Sequence, residues 1–291
     1  MIIMNERISS PSKTMEIIKK YGFDFKKNFG QNFLTDYNIL TGIADSAEIS
    51  SDDCVLEIGP GIGSLTQVIA ERAKKVIAVE IDNKLIPILE DTLSGYKNIE
   101  IINADILKTD ISAIISSCGG EIKVVANLPY YITTPIIMAL LERQYNIKSI
   151  TVMIQKEVAD RISASCGSKD YGALSVAAQY YCDVNYDFTV SASCFIPRPK
   201  VDSSVITLTP LKEKRYKTND EKLFFKIVKC AFGQRRKTFI NSIANQSGLS
   251  VTKDELSEIL ESMGLDARIR GEALSIQQLC GFTDRLSSIL K

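Results

Sequence analysis

The stretch CVLEIGPGIGSLTQVIA, residues 54–70, joins a short apolar run to a run with helical periodicity through Gly59, Gly61 and Gly63. The first part reads as a buried strand and the second as a helix, so the glycines form the turn between them. Such a turn lets backbone approach a ligand closely and aims the start of the helix at an anionic group. The spacing G-x-G-x-G puts Ser64 where a dinucleotide fingerprint would place its third glycine. The turn therefore suits a nucleoside ligand that need carry no pyrophosphate.

Outward from this turn the pattern repeats. KVIAVEI, NIEIINA, IKVVANL and SITVMI are further β-branched runs, separated by helical segments such as NKLIPILEDTL. Alternation of this kind predicts a mostly parallel α/β sheet of the Rossmann type with helices on both faces. Ligands of such sheets bind beyond the carboxyl ends of the strands. Glu80, followed by Ile81, closes the second strand 21 residues after Gly59, where a carboxylate can hold a ribose diol. Asp105, followed by Ile106, comes after the third strand, within reach of an adenine edge. Two later strands, YDFTVS and SSVITLTP, have no helix between them and suggest an antiparallel hairpin at a sheet edge. LKEKRYKTNDE is polar enough for a linker, and only helical patterns follow it. The expected organisation is an N-terminal helical arm and cofactor lid over 1–48, a Rossmann-like domain over 49–210 and a small all-helical domain over 211–291.

The fourth strand runs into NLPYYITTP, residues 127–135. Pro129 ends the strand, Thr133 or Thr134 caps the next helix, and Pro135 lies in its first turn. That local role leaves Asn127 and the paired tyrosines unexplained. The exocyclic amine of adenine is a poor nucleophile because its lone pair is delocalised into the ring. The Asn127 side-chain oxygen and the Leu128 carbonyl could accept its hydrogens and favour a pyramidal nitrogen, while Tyr130 stacks on the base. A base held in this way must first leave any helix to which it belongs.

Composition bounds the chemistry. The chain has 291 residues, 45% of them hydrophobic, and a formal net charge of zero. No apolar run approaches the roughly 20 residues of a membrane span, and the N-terminal residues lack a signal-peptide pattern, so a cytoplasmic protein is expected. The seven cysteines form no C-x-x-C pair and read as reduced, mostly core residues, with no metal site. There is no histidine, which removes Ser-His and Cys-His nucleophile pairs. Charge is unevenly spread: residues 211–240 hold ten Lys or Arg against three acids, and KKYGFDFKKNFG interleaves lysines with aromatics. Lys26, Lys27, Arg198, Lys200, Arg235, Arg236 and Lys237 are the candidate RNA contacts.

GQNFL (30–34), EIGPGIGSLT (57–66), NLPYYITTPII, MIQKEVADRI, FIPRPKVDSSV (195–205) and AFGQRRKT (231–238) occur in order and without a large gap. Together they resemble the bacterial small-subunit ribosomal RNA adenine dimethyltransferase family. The resemblance implies S-adenosylmethionine as cofactor and two methyls on N6 of each of two adjacent adenosines near the 3' end of 16S rRNA. It implies a small-subunit assembly intermediate as substrate, and no long unpartnered apolar face argues against a monomer. It assigns cofactor contacts to Asn32, Leu34, Gly59, Glu80, Asp105 and Asn127; Gln31, beside a glycine and suited to a lid, and the neighbours Gly61, Ile81 and Ile106 complete the candidate cofactor set. It assigns the catalytic loop to Asn127, Pro129 and Tyr130, with Phe195 facing Tyr130 across the target base; Leu128 joins the candidates through its carbonyl alone. Three other readings are a macrolide-resistance 23S rRNA methyltransferase, a nicotinamide oxidoreductase on the same sheet, and a noncatalytic assembly factor.

Overall fold

The computed structural model describes residues 7–23, 31–234 and 236–290. Contacts divide the chain into two units, Met1–Ala159 with Val184–Pro210, and Asp160–Asp183 with Leu211–Lys291. The first begins with α1 (Pro11–Lys20), β1 (Phe33–Leu34) and α2 (Tyr37–Ser46). CVLEI then forms β2 (Cys54–Ile58), and the glycine turn leads to α3 (Ser64–Ala70). Alternation continues through β3 (Lys75–Glu80), α4 (Ile86–Thr92), β4 (Ile99–Asn103), α5 (Ile111–Ser117), β5 (Ile122–Asn127), α6 (Thr133–Glu142), β6 (Ile147–Gln155) and α7 (Lys156–Ile162). After α8 (Ala173–Tyr181) come β7 (Cys182–Val190), β8 (Phe195–Ile196) and β9 (Ser203–Pro210).

The seven-stranded sheet has the order β4-β3-β2-β5-β6-β9-β7. Pairings from β4 to β6 are parallel, and β9 runs antiparallel to β6. The strand order reverses between β2 and β5, so the ends of these two strands diverge into the crevice where open α/β sheets bind ligands. β2 sits centrally and is buried along its whole length, which takes Glu57 out of water with its apolar neighbours. The small pairing of β1 with β8, Leu34 opposite Phe195, brings two distant segments to this crevice.

The N-terminal arm belongs to the first unit because its apolar face has a partner. Ile8, Ile17 and Phe23 pack with Phe33, Ile62, Leu85 and Leu89. Arg7 pairs with Glu71 at 2.8 Å, and Ile8 N donates to Gln67 Oε1. Among the described residues no helix is long and apolar enough to cross a membrane.

One cysteine expectation is corrected. Cys54 and Cys118 form a disulfide, with Cα atoms 5.8 Å apart. Cys118 ends α5, and the chain then turns through Gly119 and Gly120 into β5, whose Lys123 lies opposite Val55 of β2. Adjacent parallel strands thus bring together two cysteines 64 residues apart. The bond lies at the amino end of the strands, opposite the crevice. Cys182, Cys230 and Cys280 are buried free thiols, while Cys166 is exposed.

The second unit adds α9 (Glu221–Gly233), α10 (Phe239–Gln246), α11 (Lys253–Ser262) and α12 (Ile276–Ile289) to α8. Asp220, Thr238, Thr252 and Ser275 cap these four helices, each accepting a backbone N–H three residues on. Its core holds Tyr180 stacked on Phe224 at 4.9 Å and Phe239 edge-on to Phe282 at 4.8 Å. Tyr171, Val176 and Tyr180 lie in this same cluster. Asp160–Asp183 therefore groups with the C-terminal helices, whereas the linear reading places it within 49–210.

Candidate active site

At the carboxyl ends of β2, β3, β4 and β5 lies one open cavity. Its wall includes Gln31, Asn32, Leu34, Gly59, Gly61, Glu80, Ile81, Asp105, Ile106, Asn127, Leu128, Pro129, Tyr130 and Phe195. Residues spread over 165 positions of sequence meet here because parallel strands deliver all their following loops to one edge.

The glycine turn follows β2. Gly59 and Gly61 take positive φ, +71° and +63°, which L side chains rarely adopt. A Cβ on Gly61 would sit 3.2 Å from the Phe33 ring, so β1 closes tightly over the loop. Glu80 ends β3 with both carboxylate oxygens engaged: Asp82 N donates to Oε1 at 2.8 Å and Gly61 N to Oε2 at 3.3 Å. Burial raises its pKa, and the two backbone donors oppose that shift. Gln31 Nε2 donates to Asp82 Oδ2 at 3.0 Å, tying the segment before β1 to the loop after β3. Asp105 Oδ1 accepts from Leu107 N at 3.0 Å, which turns the chain sharply after β4.

The NLPY loop follows β5. Leu128 N donates to Met153 O at 3.0 Å, extending the β5–β6 ladder before Pro129 stops it. Asn127 Nδ2 donates to Asn32 O at 3.4 Å, which leaves Oδ1 as the accepting end of the amide. Tyr130 is half-buried, and its hydroxyl pairs with Ser203 Oγ at 2.8 Å. Thr133 does not cap α6. It is the first helical residue, and its hydroxyl donates back to Pro129 O at 3.0 Å, bracing the loop. Phe195 is buried with Leu34, Leu40 and Val205 and also lines the cavity, so core packing and site role coincide there.

Two buried polar atoms on the wall, Glu57 Oε2 and Ser64 Oγ, have no hydrogen-bond partner among the described residues. Leaving a buried polar group unpaired costs about 1–3 kcal/mol. A ligand bearing its own charged donors and acceptors would relieve that cost. Burial pushes the Glu57 carboxyl up to about 8, against the opposing effect of the nearby Thr66 hydroxyl and with a smaller contribution from the negative charge of Glu80. The acid is therefore neutral near pH 7 and can donate a proton or surrender it to a cation. Glycine amides, unpaired polar atoms at one end and acids beside apolar Ile81 and Ile106 at the other fit an amino-acid-bearing nucleoside such as S-adenosylmethionine.

The sequence gives Glu57, Ser64, Asp82, Tyr131 and Ser203 no assigned site role. Glu57 carries a signal, an acid inside an otherwise apolar strand. Tyr131 is exposed beside Ile81 on the cavity rim; burial and then the charges of Asp105 and Glu80 raise its phenol. The basic candidates lie elsewhere. Arg198 and Lys200 are exposed between β8 and β9, off the cavity wall, and Arg236 and Lys237 are exposed between α9 and α10. Lys26, Lys27 and Arg235 lie outside the described residues.

A mostly parallel sheet with this nucleoside-shaped crevice and an amide-proline-tyrosine loop defines a Rossmann-like methyltransferase. A family model described as ribosomal RNA adenine dimethylase matches residues 22–280, and the chain belongs to that family. It is 52% identical over 287 residues to the ribosomal RNA small subunit methyltransferase A of Lachnoclostridium phytofermentans, covering 98% of this chain and 99% of that one. Among solved structures it resembles a dimethyladenosine transferase from Plasmodium falciparum, with TM-score 0.70 and 28% identity over 86% of this chain and 95% of that one. It also resembles the 23S rRNA methyltransferase ErmE, with TM-score 0.67 and 28% identity over 88% of this chain and 100% of that one.

Proposed function

We propose that this protein dimethylates N6 of two adjacent adenosines in the 3'-terminal hairpin of 16S rRNA, using S-adenosylmethionine. The observation that carries the reading is that Asn127, Tyr130 and Phe195 open onto the same cavity as Glu80 and Asp105. The small-subunit relative at 52% identity, against 28% for the 23S enzyme, favours 16S rRNA over 23S rRNA.

When bound, the cofactor supplies a methyl group activated by its sulfonium. Glu80 and the Gly59–Gly61 turn hold its ribose and amino-acid end, with Glu57 and Ser64 as unpaired partners for that end. Ile81, Asp105 and Ile106 flank its adenine. On the substrate side, Asn127 Oδ1 and the Leu128 carbonyl accept the two hydrogens of the adenosine amine and so direct its lone pair into the cavity. Tyr130 and Phe195 clasp the extruded base between rings, where each base–aromatic contact contributes about 1–3 kcal/mol. The amine turns acidic once alkylated, so its proton can pass to water and the loop needs no strong base. Catalysis is then mainly positioning and electrostatics.

The substrate is a small-subunit precursor whose assembled shape presents the hairpin, and basic residues on both units supply phosphate contacts. The protein acts as a cytoplasmic monomer. Transfer of labelled methyl groups to purified unmethylated small and large subunits tests the reading: label entering small subunits alone supports it, and label entering large subunits favours the 23S alternative.

A further inference from the structure

The proposed clasp needs two rings held a fixed distance apart, yet Tyr130 and Phe195 come from segments 65 residues apart. The dipeptide Asp202–Ser203 bonds to Tyr130 and to the turn that leads into Phe195. Ser203 Oγ, on a fully buried residue at the start of β9, pairs with the Tyr130 hydroxyl at 2.8 Å. Asp202 Oδ1 accepts from Ala192 N at 2.9 Å, at the start of the short 3-10 turn that runs directly into Phe195. Both residues are themselves fixed at the junction of β6 and α7. Asp202 O accepts from Lys156 N at 3.0 Å, and Ser203 lies opposite Gln155 in the β6–β9 ladder. β6 also holds the base of the NLPY loop through Met153 O.

Without Ser203, the Tyr130 ring would keep its apolar neighbours but lose the bond that sets its rotation and tilt. Without the Asp202 carboxylate, the turn ahead of Phe195 would lose the acceptor that holds its first N–H. Neither Asp202 nor Ser203 lines the cavity, so neither touches a ligand there. We propose that Asp202 and Ser203 are positioning residues that fix the gap between the Tyr130 and Phe195 rings, and so set the slot that receives a flat purine. The inference rests on the reading of those rings as a base clasp.

Single-turnover methyl transfer to unmethylated small subunits, with cofactor affinity measured by calorimetry using S-adenosylhomocysteine, tests it. Ser203→Ala and Tyr130→Phe sever the same bond, and the second keeps the ring. Each should slow transfer about tenfold or more, because small misplacements of reacting groups are costly, while S-adenosylhomocysteine affinity stays within about twofold. The double variant should be no slower than the worse single one. Asp202→Ala should also slow transfer, and Asp202→Asn, which keeps Oδ1, should recover most of that loss. Wild-type rates in Ser203→Ala, or multiplicative losses in the double variant, would overturn the brace. Should Ser203→Ala melt early, Tyr130→Phe and the Asp202 pair still decide the matter. Failure of the wild-type protein to methylate small subunits would instead defeat the underlying function.

Discussion

Glu57 makes a sharp test because its environment is extreme. It sits on the central strand at 1% exposure, and its carboxyl is pushed up to about 8 from an ordinary value near 4.5. Between these values the unfolded chain carries the charge while the folded protein keeps the proton. The unfolded state then binds fewer protons, so stability falls as pH rises through that window, by at most about 1.4 kcal/mol per unit. From pH 5 to pH 7 the loss amounts to at most about 3 kcal/mol from this one group. Glu57→Gln keeps the shape of the neutral acid, cannot ionise, and should remove that slope. Urea melts of both proteins at several values from pH 5 to pH 8 isolate the contribution as a difference, since all other titrating groups are shared. The variant should gain on the parent steadily as pH rises. A stability difference that stays constant across the range would refute the assignment of a buried neutral acid.

Glu80→Gln should cost stability through its hydrogen bonds: both Glu80 oxygens accept backbone N–H groups, an amide can serve only one, and the fold should lose about 1–3 kcal/mol in melts without cofactor. Calorimetry should show weaker S-adenosylmethionine binding as well, and unchanged affinity would remove Glu80 from the pocket. Asn127→Ala should slow single-turnover transfer by at least about a hundredfold with subunit affinity near normal, because the amide acts in the transition state; a loss under about tenfold contradicts that role. Reversing Arg236 and Lys237 to Glu should weaken subunit binding and flatten its salt dependence by nearly one counterion per lost phosphate contact, with thermal melts as the folding control. An unchanged slope would move the docking face to KKYGFDFKKNFG.

The crevice was legible because its chemistry sits at strand ends. Gly59, Glu80, Asp105 and Asn127 each follow a β-branched run, and parallel strands can only deliver their loops to one edge. Features that depend on cross-chain proximity left little trace in sequence. Cys54 and Cys118 show no motif, and only the β2–β5 register makes them neighbours. Asp160–Asp183 reads as one more piece of the alternating chain, yet Tyr171, Val176 and Tyr180 share a core with Phe224 and Phe282. Ser203 looks like an ordinary strand residue until its hydroxyl is seen against Tyr130. Thr133 misled for a local reason: Pro129 O lies within reach of its hydroxyl, which takes that bond in place of a cap.

The proposed function turns on which atoms receive methyl groups. Incubating the protein with S-adenosylmethionine and unmethylated small subunits, then mapping the product at base resolution by mass spectrometry, tests it directly. N6,N6-dimethyladenosine is expected at two adjacent positions of the 3'-terminal hairpin of 16S rRNA, and far less of it in the same time with Asn127→Ala. Methyl groups on another base, on 23S rRNA, or equally abundant with Asn127→Ala would contradict that function.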